Sequence, residues 1–317
     1  MLYKKITIGG KEYEFSAFAL GTHTFGLERV KNHLTEAESA KILYQYVEGG
    51  GNAIDTARSY GESEAILGRI LAADPALRKK LFISTKGGNG EYYKDGILYG
   101  FGRLQRNELY EDVQKSLEAL QADTIDLYFL HKDDPTIPPE ELIETLEEFR
   151  QKGWIRAYGA SNMVAERIDA ANRYAKEKGY AGFAASQLAF SPHRDPDKLW
   201  RKREQCLEMT DEDYQKYLQN QLPIFAYNSQ AGGFFYKNFN TPDEEIVASA
   251  ENIQKLRHIR ALCREKGITP HQAIFGFFAG LPTPTLPIAT STSAEHLALM
   301  LENCDIALDK EELLPLL

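Results

Sequence analysis

Apolar and polar positions along this chain follow two rhythms. Over the first fifteen residues the period is two: Ile6 and Ile8, then Tyr13 and Phe15, flank Gly9-Gly10. That pattern predicts a short hairpin with a glycine turn. After it, short apolar runs alternate with longer stretches of 3.6-residue period. The runs are 18–20 (FAL), 52–54 (NAI), 81–85 (LFIST), 125–130 (IDLYFL), 155–160 (IRAYGA), 183–186 (FAAS), 223–226 (PIFA) and 285–288 (TLPI). Helices are expected between them. The first, Thr35 to Glu48, opens with a Thr35/Glu38 capping box and stops at Gly49-Gly50-Gly51. The others are expected at 63–71, 107–120, 138–152, 164–178, 210–221, 252–266, 270–279 and 294–303.

Strand and helix alternating eight times argue for an α/β chain folded as a (β/α)₈ TIM barrel. A doubly wound open sheet is the rival, but it normally has fewer units and a glycine-rich first turn. No linker or low-complexity stretch interrupts the pattern, so residues 1–317 are read as one domain. Segments 87–105 and 189–209 are expected to be long loops at the active-site face, where long loops are usually functional. Pro287 sits awkwardly in the last run, because it cannot donate to a sheet ladder.

Composition narrows the function. With 43% hydrophobic and 11% aromatic residues, the chain can bury a large core, which argues against disorder. Its 37 basic and 46 acidic residues give a net charge of -9, which argues against a general nucleic-acid binder. Cys206, Cys263 and Cys304 are far apart and form no CxxC. A disulfide framework and a zinc ribbon are therefore disfavoured, and a cytoplasmic setting is expected. The N-terminus has no apolar leader, and no run reaches about 18 apolar residues, so no membrane association is expected.

The candidate chemistry lies where the strands end: Asp55, Lys86, His131, Ser161-Asn162, Gln187 and Tyr227-Asn228. In a barrel these ends converge on one mouth. Polar residues begin the loops after any strand, but that alone is a poor account of an acid, a lysine, a histidine, amides and a tyrosine together. The chain has no HExxH, GxSxG, Walker A or GxGxxG motif, so no metal site or nucleophile elbow is expected. Tyr60 follows Asp55 by five residues. A buried lysine near a phenol favours its ionisation, and such a tyrosine can act as a general acid. His131 can donate to a substrate oxygen. Delivery of a proton to oxygen without nucleophile or metal suggests carbonyl reduction, with the hydride from a nicotinamide cofactor.

At this point the chain resembles the aldo-keto reductases over nearly its whole length. The resemblance is carried by Gly21-Thr22…Phe25-Gly26, Asn52-Ala-Ile-Asp55-Thr-Ala-Arg-Ser-Tyr60-Gly61, Ser84-Thr-Lys86, Asp126-Leu127-Tyr-Phe-Leu-His131 and Gly153-Trp-Ile-Arg-Ala-Tyr-Gly159-Ala-Ser161-Asn162. It implies a barrel whose N-terminal hairpin closes the bottom, and a small-molecule aldehyde or ketone as substrate, sugar-related in one reading. It also implies a catalytic tetrad of Asp55, Tyr60, Lys86 and His131, with Tyr60 as general acid, Lys86 lowering its pKa and Asp55 pairing with Lys86. NADPH is the implied cofactor, with NADH as the alternative. Its contacts would be Gly21, Thr22, Asp55, Ser161, Asn162, Gln187, Tyr227, Asn228, Ser229, Gln230, Gly232, Ala289, Ser291, Thr292 and His296. His296 stands where the family usually carries a basic residue for the 2′-phosphate. Phe25, Tyr60, His131 and Trp200 would face the substrate. Trp200 belongs either to a lid or to a loop packed on the barrel flank or a neighbouring subunit. The resemblance also admits a different class, a cofactor-binding regulatory or scaffold subunit like the potassium-channel β subunits.

Overall fold

Gly9 and Gly10 both take positive φ, 57° and 82°. This is the backbone of a two-residue type I′ turn, and it joins β1 (Tyr3–Ile8) to β2 (Lys11–Ser16) as an antiparallel pair. The computed structural model describes residues 1–28, 31–94, 97–195 and 205–317. After the hairpin, β3 (Ala19–Gly21), α1 (Glu36–Glu48), β4 (Ala53–Asp55), α2 (Ser63–Ala73) and β5 (Phe82–Gly87) alternate. A second hairpin follows, β6 (Asn89–Lys94) and β7 (Ile97–Gly102). Then come α3 (Arg106–Leu120), β8 (Ile125–Leu130), α4 (Pro139–Gln151), β9 (Ile155–Ser161), α5 (Ala165–Lys178), β10 (Ser186–Ala189), α6 (Asp211–Asn220) and β11 (Ile224–Tyr227). Two helices, α7 (Ala250–Lys266) and α8 (Pro270–Gly280), precede β12 (Thr285–Ala289), and α9 (Ala294–Glu302) completes the ring.

Eight parallel strands close the barrel in the order β10-β11-β12-β3-β4-β5-β8-β9. The predicted (β/α)₈ barrel with its N-terminal hairpin is therefore the observed fold. Ile6, Ile8 and Phe15 of the hairpin pack in one cluster with Ala53, Phe82, Leu127, Phe129 and Phe225 from the barrel strands. The hairpin is thus a plug whose apolar face completes the barrel interior. Lys4 fastens it, donating from Nζ to the carbonyls of Phe278, Leu281 and Thr283 at the end of α8. The Thr35/Glu38 capping box is present at the start of α1.

Three sequence expectations need correction or refinement. Segment 87–105 is not a loop throughout, because β6 and β7 pair from Asn89↔Gly102 to Lys94↔Ile97. The run 183–186 precedes its strand, which spans Ser186–Ala189, although Ala184 N–H already donates to the Tyr158 carbonyl of β9. Pro287 does sit inside β12. Pairing with β3 begins only at Ile288↔Ala19, one residue past the proline, so that ladder needs no donor from it. Trp200, in the 189–209 segment, lies outside the described residues.

Candidate active site

Every barrel strand ends with a residue of the predicted set or within two residues of one. Asp55 is the last residue of β4, Lys86 the last but one of β5, and His131 follows β8 directly. Ser161 ends β9, Gln187 lies in β10, Tyr227 ends β11 and Ala289 ends β12. Strand pairing therefore fixes their relative heights around one mouth.

Lys86 is buried, and its Nζ donates to Asp55 Oδ2 at 2.6 Å and to the Thr56 carbonyl at 2.7 Å. Asp55 Oδ1 accepts from Ser84 Oγ and from Gln187 Nε2, each at 2.9 Å. The carboxylate thus has charged and neutral donors, which a buried charge requires. The Lys86 ammonium lies 4.9 Å from the centre of the Tyr60 ring. His131 meets that ring edge-on at 5.7 Å, and Ser59 Oγ lies 3.3 Å from His131 Nδ1. The predicted tetrad therefore converges.

Burial is the largest influence on the Tyr60 phenol and raises its pKa. The Lys86 charge pulls the other way, and the net direction is upward. For Lys86, burial presses the pKa down, but Asp55 and then Tyr60 more than offset this, and the ammonium is held above its ordinary range. The expectation that Lys86 lowers the phenol's pKa thus holds for its own contribution but not for the sum in the unliganded protein.

Asn162 ties several strand ends together. Its Nδ2 donates to the His131 carbonyl at 3.0 Å and to Ser161 Oγ at 3.1 Å, while its Oδ1 accepts from Tyr227 OH at 2.8 Å and Leu207 N–H at 3.0 Å. All four hydrogen-bonding positions of the amide are in use. Its backbone is left-handed, at φ 56°.

A cleft of about 990 Å³ runs from the tetrad to His296, at the upper end of the usual size for small-molecule sites. All the residues expected to touch the cofactor line it. The donor chemistry fits a dinucleotide. Gln230 Nε2 is buried with no hydrogen-bond partner. Gly21 keeps the backbone close to its neighbours, since a Cβ there would lie 2.7 Å from Thr290 Oγ1 and would have to displace it. The segment after β11 turns left-handed at Asn228, Ala231, Gly232 and Gly233, letting the backbone pass close to a ligand. At the far end, Ser291 Oγ lies 3.2 Å from His296 Nδ1, and the Ser293 side chain caps α9.

Not every expected residue faces the cleft. Phe25, expected at the substrate, is fully buried in the core cluster that also contains Ile66 and Leu67 of α2. His23 and Leu27, on either side of it, line the cleft instead. Sequence reasoning also missed Asn89 and Glu91 of β6, Lys132, and Lys237. One helical turn, Phe234–Lys237, carries that lysine back to donate to the Gly232 carbonyl at 2.7 Å. Burial lowers the His296 pKa, and Lys237 lowers it further. Its neighbour His271, 5.7 Å away between ring centres, is lowered to about 4 by burial and then by His296.

A family model described as the aldo/keto reductase family matches residues 17–314. The chain belongs to that family. This aldo/keto reductase is thus an oxidoreductase of a family that acts on small-molecule carbonyls and generally uses nicotinamide cofactors. It is similar to 6-dehydroglucose reductase of Novosphingobium aromaticivorans, at 29% identity over 293 residues, 89% of this chain and 86% of that protein. Norsolorinic acid reductase B of Aspergillus parasiticus is 26% identical over 313 residues, 94% of this reductase and 78% of the relative. The oxidoreductase YdhF of Escherichia coli is 24% identical over 248 residues, 73% and 80% of the two chains. Among the described residues of this reductase, no helix is long and apolar enough to cross a membrane.

Proposed function

We propose that the protein reduces an aldehyde or ketone to an alcohol with NADPH, and that Tyr60 gives the proton. The observation that carries this reading is the buried Lys86–Asp55 pair at 2.6 Å, set beneath a phenol that an imidazole meets from the side. Bound NADPH would supply the hydride. Tyr60 would protonate the carbonyl oxygen as negative charge builds on it, and His131 would orient that oxygen. Lys86 would steady the phenolate left behind, while Asp55 holds the ammonium in place. Ser161, Gln187 and Tyr227 would hold the nicotinamide end, with Asn162 setting their spacing. Gly21, Thr22 and the segment from Asn228 to Gly232 would take the diphosphate. Ala289, Ser291, Thr292 and His296 would surround the adenosine.

A hydroxylated, sugar-related carbonyl is the substrate this reading favours. Ser59, Asn89, Glu91 and Lys132 make much of the cleft wall on the Tyr60 side polar. One relative is also named for a dehydroglucose. Steady-state turnover of NADPH against a panel of hydroxylated and aromatic aldehydes tests the reading. Tight NADPH binding with no turnover across the whole panel would favour the scaffold alternative.

For the 2′-phosphate, Lys237 is the cation this reading uses, and His296 contributes as a neutral donor. Lys237→Met is expected to weaken NADPH binding by about tenfold, the loss of one charge-assisted hydrogen bond, while NADH binding stays within about twofold. Because the His296 pKa lies below its ordinary 6.5, NADPH affinity is expected to stay flat above that pH. Fluorescence titration of both cofactors checks this. An affinity that climbs as pH falls from about 8 to 7 would point to His296 as the charge instead.

A further inference from the structure

Glu64 is a carboxylate in the first turn of α2, 1% exposed and outside the cleft. Burial pushes its pKa up against the hydrogen bonds that favour its charged form. An apolar side chain at that place would avoid this desolvation cost. Its partners suggest a reason for the carboxylate. Oε1 accepts from Thr85 Oγ1 at 2.6 Å, and Oε2 lies 3.5 Å from an Arg58 guanidinium nitrogen. Thr85 directly precedes Lys86 on β5. Arg58 lies two residues before Tyr60, and its backbone N–H donates to the Lys86 carbonyl at 2.8 Å. One carboxylate therefore grips both the strand that carries Lys86 and the loop that carries Tyr60.

The surrounding contacts leave room for motion if that grip is lost. Beyond the ion pair, Oε2 has no well-aligned hydrogen bond; Ser116 Oγ beside it favours the charge without one, and Tyr128 OH is also unpartnered. The side chain of the neighbouring residue, Ser63, binds the Thr22 carbonyl and the Thr22 and Thr56 hydroxyls, and its backbone N–H donates to the Tyr60 carbonyl at 3.1 Å, so it ties α2 to the Tyr60 loop but not to the strand that carries Lys86. We propose that Glu64 is a positioning residue that locks the Tyr60 loop against the Lys86 strand. It sets the spacing of phenol and ammonium without touching substrate or cofactor. This rests on Tyr60 and Lys86 acting as assigned above.

Glu64→Gln keeps an acceptor for Thr85 and removes the ion pair with Arg58. Single-turnover hydride transfer is expected to slow about tenfold, well inside the range that a misplacement near 1 Å produces. The groups that face the phenol (Lys86, Asp55, His23, His131 and Cys206) are unaltered in the variant. A looser Lys86 pulls less on the phenol, so the alkaline fall of the rate is expected to move to higher pH. NADPH affinity is expected to stay within about twofold. Arg58→Gln attacks the same link from its more exposed end, at 35% side-chain exposure, and remains informative where Glu64→Gln folds poorly. The two changes together are expected to cost no more than either alone. A wild-type rate in either folded variant, additive losses, or a slower rate with an unmoved alkaline limb would overturn the proposal. If Tyr60→Phe itself keeps wild-type turnover, the assignment of Tyr60 fails, and not the link through Glu64.

Discussion

Tyr60→Phe is expected to lower turnover by about 10²- to 10⁴-fold, the usual worth of a positioned general acid, while NADPH affinity stays within a few-fold. The phenylalanine ring keeps the edge contact with His131 and the face toward the Lys86 ammonium. Only the proton-bearing oxygen is lost. Burial holds the wild-type phenol protonated through neutral pH, so the proposed donor would carry its proton there. The hydride-transfer rate of the wild type should fall only at alkaline pH, and Tyr60→Phe should abolish that dependence. Near-wild-type turnover in a purified variant would remove Tyr60 from the reaction.

Lys86→Met is expected to damage both rate and stability, and a second substitution separates the two. Without the ammonium, Asp55 remains as a buried carboxylate with only Ser84 and Gln187 as neutral donors. Breaking a buried pair from one side typically costs about 3–5 kcal/mol. The phenol also loses the one charge that opposes its burial, and becomes a poorer acid. Asp55→Asn on top of Lys86→Met should restore melting temperature but not rate. Thermal melting and single-turnover transfer on the same samples form the cycle. Rate returning along with stability would make the pair structural only. The pH dependence has a definite sign. The folded pKa of Lys86 is raised above 10.5, so its contribution to stability is complete below that value and is lost as pH rises through the folded pKa. The double variant should lack that alkaline loss.

The barrel was legible because almost every apolar run is capped by a polar residue at the same end. Asp55, Lys86, His131 and Tyr227 mark the mouth before any coordinates are known. Elements whose evidence is spatial were harder to see. Lys237 reaches the cleft only because a single helical turn returns it to Gly232, and no spacing in the sequence announces that. Phe25 reads as part of the glycine-rich motif at the mouth, yet it points into the core. The β6–β7 hairpin did carry a signal, Asp95-Gly96 between Tyr92-Tyr93 and Ile97-Leu98, which is a turn pair between two β-prone stretches. Gly87-Gly88-Asn89-Gly90 at its start made that stretch look like loop. His23 lacked any motif of its own and gained significance only from lying 6.1 Å from the Tyr60 ring.

Among the described residues, the hairpin plug closes the barrel at its bottom end. Ile6, Ile8 and Phe15 fill the floor beneath Phe82, Phe129 and Phe225, so no ligand can approach Tyr60 from below. The large cleft among the described residues is the one between the tetrad and His296. A dinucleotide lying along that cleft, as proposed, would become part of the wall against which a second molecule rests. On the proposed reading, geometry would order the traffic: the larger guest would enter first, and the smaller one would leave before it.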